Sequence, residues 1–241
     1  MDATTTGNTL RWYEDLEDEL VAFLKAVPPQ GNNRKVWSPK LATILVEACT
    51  LTESVFYHIT PITDAVGDRD RDHMGLAEYA ELYRVKRRLA ERKVVFFQEP
   101  LGWVEPFHRW ANRTTGFKDK EPAWWKIYNE AKHHRLEMLE KATLKMAICA
   151  VAGAFVTIVT ESTLLLAARR HEWLSFNYDR PEVLVADVLE QRSGIWLCPE
   201  TPLFAALLGA SPLPDDINKL KDPSSPIPIT SPRLVRWLGL R

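Results

Sequence analysis

The chain has 241 residues, 46% of them hydrophobic and 26% charged, with a formal net charge of −1 at pH 7. That composition excludes a disordered or fibrous chain, and the length admits one large domain or one domain with an appendage. Near-neutrality leaves no whole-molecule field to hold a polyanion, so any nucleic-acid contact needs a local basic patch.

The first ten residues, MDATTTGNTL, are polar and acidic where a secretory signal is basic and then apolar, so no export is indicated. Residues 11–27 place Trp12, Leu16, Leu20, Phe23, Leu24 and Val27 at helical spacing and predict a first helix. Ser38 followed by Pro39 is a helix start, and the apolar run from Leu41 to Ile59 carries a second helix to about Thr60, where Pro61 stops it. Polar residues 64–75 read as a loop, and a third helix is expected from Leu76 to about Phe97. Residues 100–122 are interrupted by Pro, Gly and Asn. Pro122 then opens a fourth helix that runs through Met138, and after a break near Thr143 an apolar helix reaches about Arg170. That run resembles a membrane span in length, but Glu161 and Ser162 break it, and it is read as a buried core helix with no membrane contact. Residues 182–190 fit a strand or a short helix equally. Eight prolines from Pro199 to Pro232 predict short extended pieces and turns.

The elements together predict an all-α fold: an antiparallel bundle of four or five helices over residues 1–175, covered by a proline-rich, largely irregular extension over residues 176–241. Cys49, Cys149 and Cys198 are far apart, and the first two lie in apolar helical patterns, which favours a reducing cytoplasm and no metal. No glycine-rich phosphate loop, nucleophile elbow or zinc spacing is present, and no cofactor is implied. The stretch 68-DRDRDH-73 combines carboxylates with a histidine, but Arg69 and Arg71 intervene and no second cluster matches, so it reads as a solvated loop.

The fourth helix, 124-WWKIYNEAKHHR-135, is unusual in its polar content. Wound at about 100° per residue, it gathers Trp124, Trp125, Ile127, Tyr128, Ala131, Leu136, Met138 and Leu139 on one arc and Lys126, Asn129, Glu130, His133, Glu137 and Glu140 opposite. Lys132 and Arg135 fall inside the apolar stripe, where each needs a carboxylate, an aromatic face or a stem long enough to reach water. Glu47, at the edge of the second helix's stripe, is the expected partner for either cation. Asn129 and His133 are four apart and neighbours on one face. On the third helix, Arg84, Arg87 and Arg88 belong to a basic run that follows Tyr79 and Tyr83, a pattern able to track a nucleic-acid backbone.

The pattern W-W-x-x-Y-N-x-x-K-H-x-R, preceded by Pro122 and followed by an alanine-rich apolar helix, resembles the divergent HEPN-type helical proteins of bacterial and phage-defence genes. The upstream 38-SPKLATILVEACTLTESVF-56 is similar to their early helix, and the resemblance covers roughly residues 11–170. It implies a cytoplasmic homodimer whose signature helices face each other across a cleft and, in active members, a metal-independent endoribonuclease with an Arg, a following polar residue and then a His. On that likeness His133 stands for the family histidine and Asn129 for the polar residue, while Tyr128 or Lys126 occupies the place of the arginine. Metal-free cleavage needs a base near neutral pKa and a cation for the phosphate. The resemblance thus implies His133 as base, Lys126, Lys132 and Arg135 as charge, Asn129 and Glu47 as orienting groups, and RNA as substrate. The alternative is a catalytically inactive helical scaffold or sensor that binds a partner protein.

Overall fold

A computed structural model of the chain describes residues 1–66, 69–98, 102–111, 121–174, 179–192, 195–209, 213, 219–220 and 231–239; at residues 65, 84, 85, 133–136 and 237 the description is of the backbone alone. The expected loop stretch at 67–68 lies outside the described residues. The fold is mostly helical, with a small three-stranded sheet that the all-helical expectation omitted.

Helix α1 spans Ala3–Ala26 and begins earlier than its apolar pattern does. The Asp2 carboxylate accepts from Thr5 N at 2.7 Å, and the hydroxyls of Thr6 and Thr9 donate back to the carbonyls of Asp2 and Thr5. These local bonds offset the poor helix propensity of TTTGNT. Helix α2, Pro39–Ile59, is capped by the Ser38 hydroxyl, as its sequence predicts. Helix α3 covers only Leu76–Lys86. The chain then passes through Arg88, which takes a left-handed φ of 53°, into a 3-10 turn at Leu89–Glu91 and the strand β3, Val94–Phe96. The expected helix to Phe97 is therefore cut short, and the β-branched and aromatic run VVFF is a strand. A two-stranded ribbon, β1 at Ala65–Val66 and β2 at Arg69–Asp70, precedes α3.

Helix α4, Ala123–Met138, follows Pro122 as expected. The apolar run after it is two helices rather than one: α5, Leu144–Val159, and α6, Ser162–Ala168, the latter continued by a 3-10 turn to His171. They meet at a bend of 99°. The bend sits at Glu161, whose buried carboxylate caps α6 by accepting from Leu164 N at 2.7 Å. Among the described residues no single helix is long and apolar enough to cross a membrane. Residues 182–190 resolve as helix: α7 is Pro181–Leu189, and α8 is Pro232–Leu238.

The core sits between α2 and α5, with α1, α4 and α6 closing around them. Strand β3 is central in the sheet, with β4, Gly102–Val104, on one side and β5, Phe204–Ala206, on the other, both antiparallel. Period-two alternation sends Val94, Phe96, Phe204 and Ala206 into the main core. Val95, Ala205 and Leu207 face a second, smaller core closed by Leu234 and Leu238 of α8. Residues beyond 175 thus supply a strand to the sheet.

One buried acid ties that strand's approach to the first helix. Glu17 of α1 is 1% exposed, and its Oε1 accepts from the Thr201 hydroxyl at 2.5 Å, Leu203 N at 3.0 Å and the Tyr13 hydroxyl at 3.3 Å. Burial nevertheless dominates and pushes the Glu17 carboxyl from 4.5 up to about 7. Between those two values the folded chain holds a proton that the unfolded chain has released, so stability falls as pH rises from 4.5 to 7, by roughly 3 kcal/mol. Glu17→Gln is expected to flatten that slope. Urea unfolding of both proteins at pH 5 and pH 8 measures it, and a wild-type slope retained in the variant contradicts the assignment.

Candidate functional site

The helix that carries the family-like motif is held by its aromatic side. Trp124, Trp125 and Tyr128 are all buried, with edge-on ring contacts of 5.4 Å between the two tryptophans and 5.3 Å between Trp125 and Tyr128. Trp124 also packs edge-on to Phe107 and donates its indole N–H to Pro106 O at 2.9 Å. Trp124 reaches α5 at Gly153, where a Cβ would stand only 2.8 Å from the indole. Glycine is required there by the closeness of the neighbour, and its conformational freedom plays no part.

Of the motif's polar groups, Tyr128, Asn129 and Lys132 are each engaged within the chain. The Tyr128 hydroxyl donates to Glu53 Oε2 of α2 at 2.8 Å, and Thr50 Oγ1 approaches the same hydroxyl at 3.5 Å. Lys132 is exposed, and it finds the carboxylate and the aromatic face that its place in the stripe asked for. Its ammonium lies 4.1 Å from the centre of the Tyr128 ring and 3.3 Å from Glu53 Oε2. Burial works against that ammonium, but the Tyr128 hydroxyl and the Glu53 carboxylate outweigh it and hold its pKa above the ordinary value. Glu53 therefore takes the role expected of Glu47. Glu47 is half-buried on α2 with no hydrogen bond or ion pair among the described residues. The two acids are six residues apart, about 240° around the helix, so they point different ways.

Asn129 donates its amide to the Glu121 carboxylate, whose own pKa is raised by burial and lowered again by that bond. Lys126 stands 3.9 Å from Glu130, which also meets Lys141 at 3.3 Å. The side chains of His133 and Arg135 lie outside the described residues, so what the structure brings together is Tyr128, Lys132 and Glu53, with Asn129 and Lys126 in separate pairs.

The basic run of α3 does not form one solvated row. Arg87 turns inward, donates Nη1 to Thr160 O at 2.6 Å and lies 5.3 Å from the Tyr83 ring centre. Burial lowers its pKa, and Glu161 nearby opposes the shift. Its target carbonyl belongs to the C-cap of α5, where a cation suits the helix dipole. Arg92 is buried, and burial, with Arg88 adding to it, lowers its pKa to about 10. Arg88 pairs with Glu91, and the Arg84 side chain lies outside the described residues.

A second constellation escaped the sequence reading. A groove of about 430 Å³ opens between the sheet, the 3-10 turn at Gly31–Lys35, the turn at His108–Ala111 and the first turns of α5. Phe96, Trp103 and Ile148 form apolar wall, while Arg34, His108 and Lys145 bring positive or protonatable groups to it. The residues come from four separate segments, so no local pattern announces them. Among the described residues no group of three or more His, Cys, Asp or Glu is placed to hold a metal ion. The sequence matches no protein-family model, and neither the curated proteins nor the solved structures give a match.

Two contrasts test these assignments by chemical denaturation. Tyr128→Ala removes a buried ring and is expected to cost about 3–5 kcal/mol, whereas Lys132→Ala, an exposed pair, is expected to cost less than about 1 kcal/mol. Arg87→Ala is expected to cost about 2–3 kcal/mol, and Arg88→Ala no more than about 0.5 kcal/mol. Equal costs within either pair contradict the inward placement of Tyr128 or of Arg87.

Proposed function

We propose that this chain is a catalytically silent, HEPN-like helical module that senses or scaffolds a partner, and that it is not a metal-free ribonuclease. The observation that carries the reading is Tyr128. With Lys126, which lies 3.9 Å from Glu130, it is one of the two residues at the place where the resemblance asks for an arginine, yet it is 4% exposed, wedged against Trp125 and bonded to Glu53. A side chain so used serves the α2–α4 contact and offers no mobile positive charge to a scissile phosphate. The cation nearest to it, Lys132, already faces Glu53, and Asn129 already faces Glu121. A site arranged for phosphoryl chemistry presents its charges to the substrate, and here each described one is answered internally.

Incubation of the purified chain with total cellular RNA in EDTA tests the reading, wild type beside His133→Ala. The expected result is intact RNA with both proteins. Cleavage that survives chelation, leaves cyclic phosphate ends and disappears in His133→Ala would establish a ribonuclease and overturn the proposal.

A further inference from the structure

We infer that the groove beside the sheet is a binding site for a small organic anion with an apolar body, that body against Phe96, Val104 and Ile148 and its carboxylate or phosphate between Arg34 and Lys145. This deepens the sensor reading by naming what is sensed, and it rests on that reading only in this respect.

Four observations converge on it. The groove's volume, about 430 Å³, falls in the range usual for small-ligand sites, which pair mostly apolar walls with a few placed polar groups. Its charge is unbalanced: Glu105 at the rim is taken by Lys93 at 3.3 Å, leaving Arg34 and Lys145 without a carboxylate among the described residues. Arg34 is held through Nε, which donates to Pro29 O at 3.0 Å, so its two terminal nitrogens have no partner among the described residues. Both cations line the same groove, and both draw the pKa of the Cys149 thiol at its wall down against the burial that raises it to about 11.

The start of α5 favours an anion beside Lys145, although Leu144 N already donates to Val36 O at 2.8 Å. Lys145 lies in the first turn of α5, which has no acidic residue and no side-chain cap. The helix dipole disfavours a cation there and favours an anion. His108 adds a further polar group: its Nδ1 meets Glu105 O at 2.9 Å, which fixes the ring and leaves Nε2 for a ligand. A wider cavity of about 590 Å³ beside the start of α1 also has cations, but Glu182 lines it and Glu14 holds His171 at 2.8 Å.

Isothermal titration calorimetry of the full chain tests the site, with indole-3-acetate and phenyl phosphate as probes and with indole and inorganic phosphate as their separate halves. Both whole probes are expected to bind at least about tenfold more tightly than either half, and more weakly as salt is raised. Lys145→Glu and Arg34→Ala are each expected to weaken binding by at least about tenfold, while Lys132→Ala binds like wild type. Lys145→Glu should also raise the melting temperature, since it puts an acid at the helix start, so lost binding in that variant is not lost folding. Binding of the whole probes that is unchanged in Lys145→Glu, or inorganic phosphate that binds as well as phenyl phosphate, overturns the site as drawn. So does tight binding of a 5′-phosphorylated RNA oligonucleotide with none of the small probes. Failure of every probe overturns the groove site and leaves the silent-module reading standing, because that reading is decided by RNA cleavage.

Discussion

The enclosure of α5 is the constraint on which the rest of the structure depends. Thirteen of its sixteen residues are buried, so beyond its first turns it has no face to leave in water and must be surrounded. Helix α2 lies along one side, α1 and α4 along others, and Phe204 of β5 stacks on Phe155. Small residues, Ala147, Ala150, Ala152, Gly153 and Ala154, let these neighbours come close. Trp124 exploits the closest approach, over Gly153, and its indole N–H then fixes Pro106. That contact anchors Pro106 beside the turn at His108–Ala111, and with it the near wall of the groove.

Charge is spent in this molecule at junctions. Arg87 answers a carbonyl at the end of α5, Glu161 caps α6 across the bend, and Glu17 receives the backbone and hydroxyl of the segment leading to β5. Each place is one where the main chain leaves a regular ladder and has donors or acceptors to satisfy. The same logic reaches the motif on α4, where Tyr128 and Lys132 converge on a single carboxylate from α2. Tyr128 and Lys132, which read in a line as part of a catalytic motif, join α4 to α2 in three dimensions.

Elements with strong local signals were legible in the sequence. Helix α2 was announced by Ser38-Pro39 and ended by Pro61, and α4 was opened by Pro122 and carried by its aromatic period. What escaped was decided at a distance or by weak punctuation. The end of α3 is marked by neither glycine nor proline, only by Arg88 in a left-handed conformation, so the strand Val94–Phe96 looked like more helix. The start of α1 depends on Asp2 and on threonine hydroxyls that work against the usual propensity. Glu53 was passed over for Glu47 because a helical wheel does not tell which edge of a stripe another helix will touch. The groove was invisible because Arg34, Trp103, His108 and Lys145 meet only after the sheet and α5 are assembled.

The position of β5 has a consequence for how the chain is made. Strand β3 is complete at Phe96, but its second edge is covered only by residues 204–206, and Glu17 waits for Thr201 and Leu203. At ordinary rates of synthesis the nascent chain carries an unpaired apolar strand edge for on the order of ten seconds. During that interval a carboxylate that the finished fold buries is still hydrated, and the ribosome's pace, as much as the sequence, governs when the core can close.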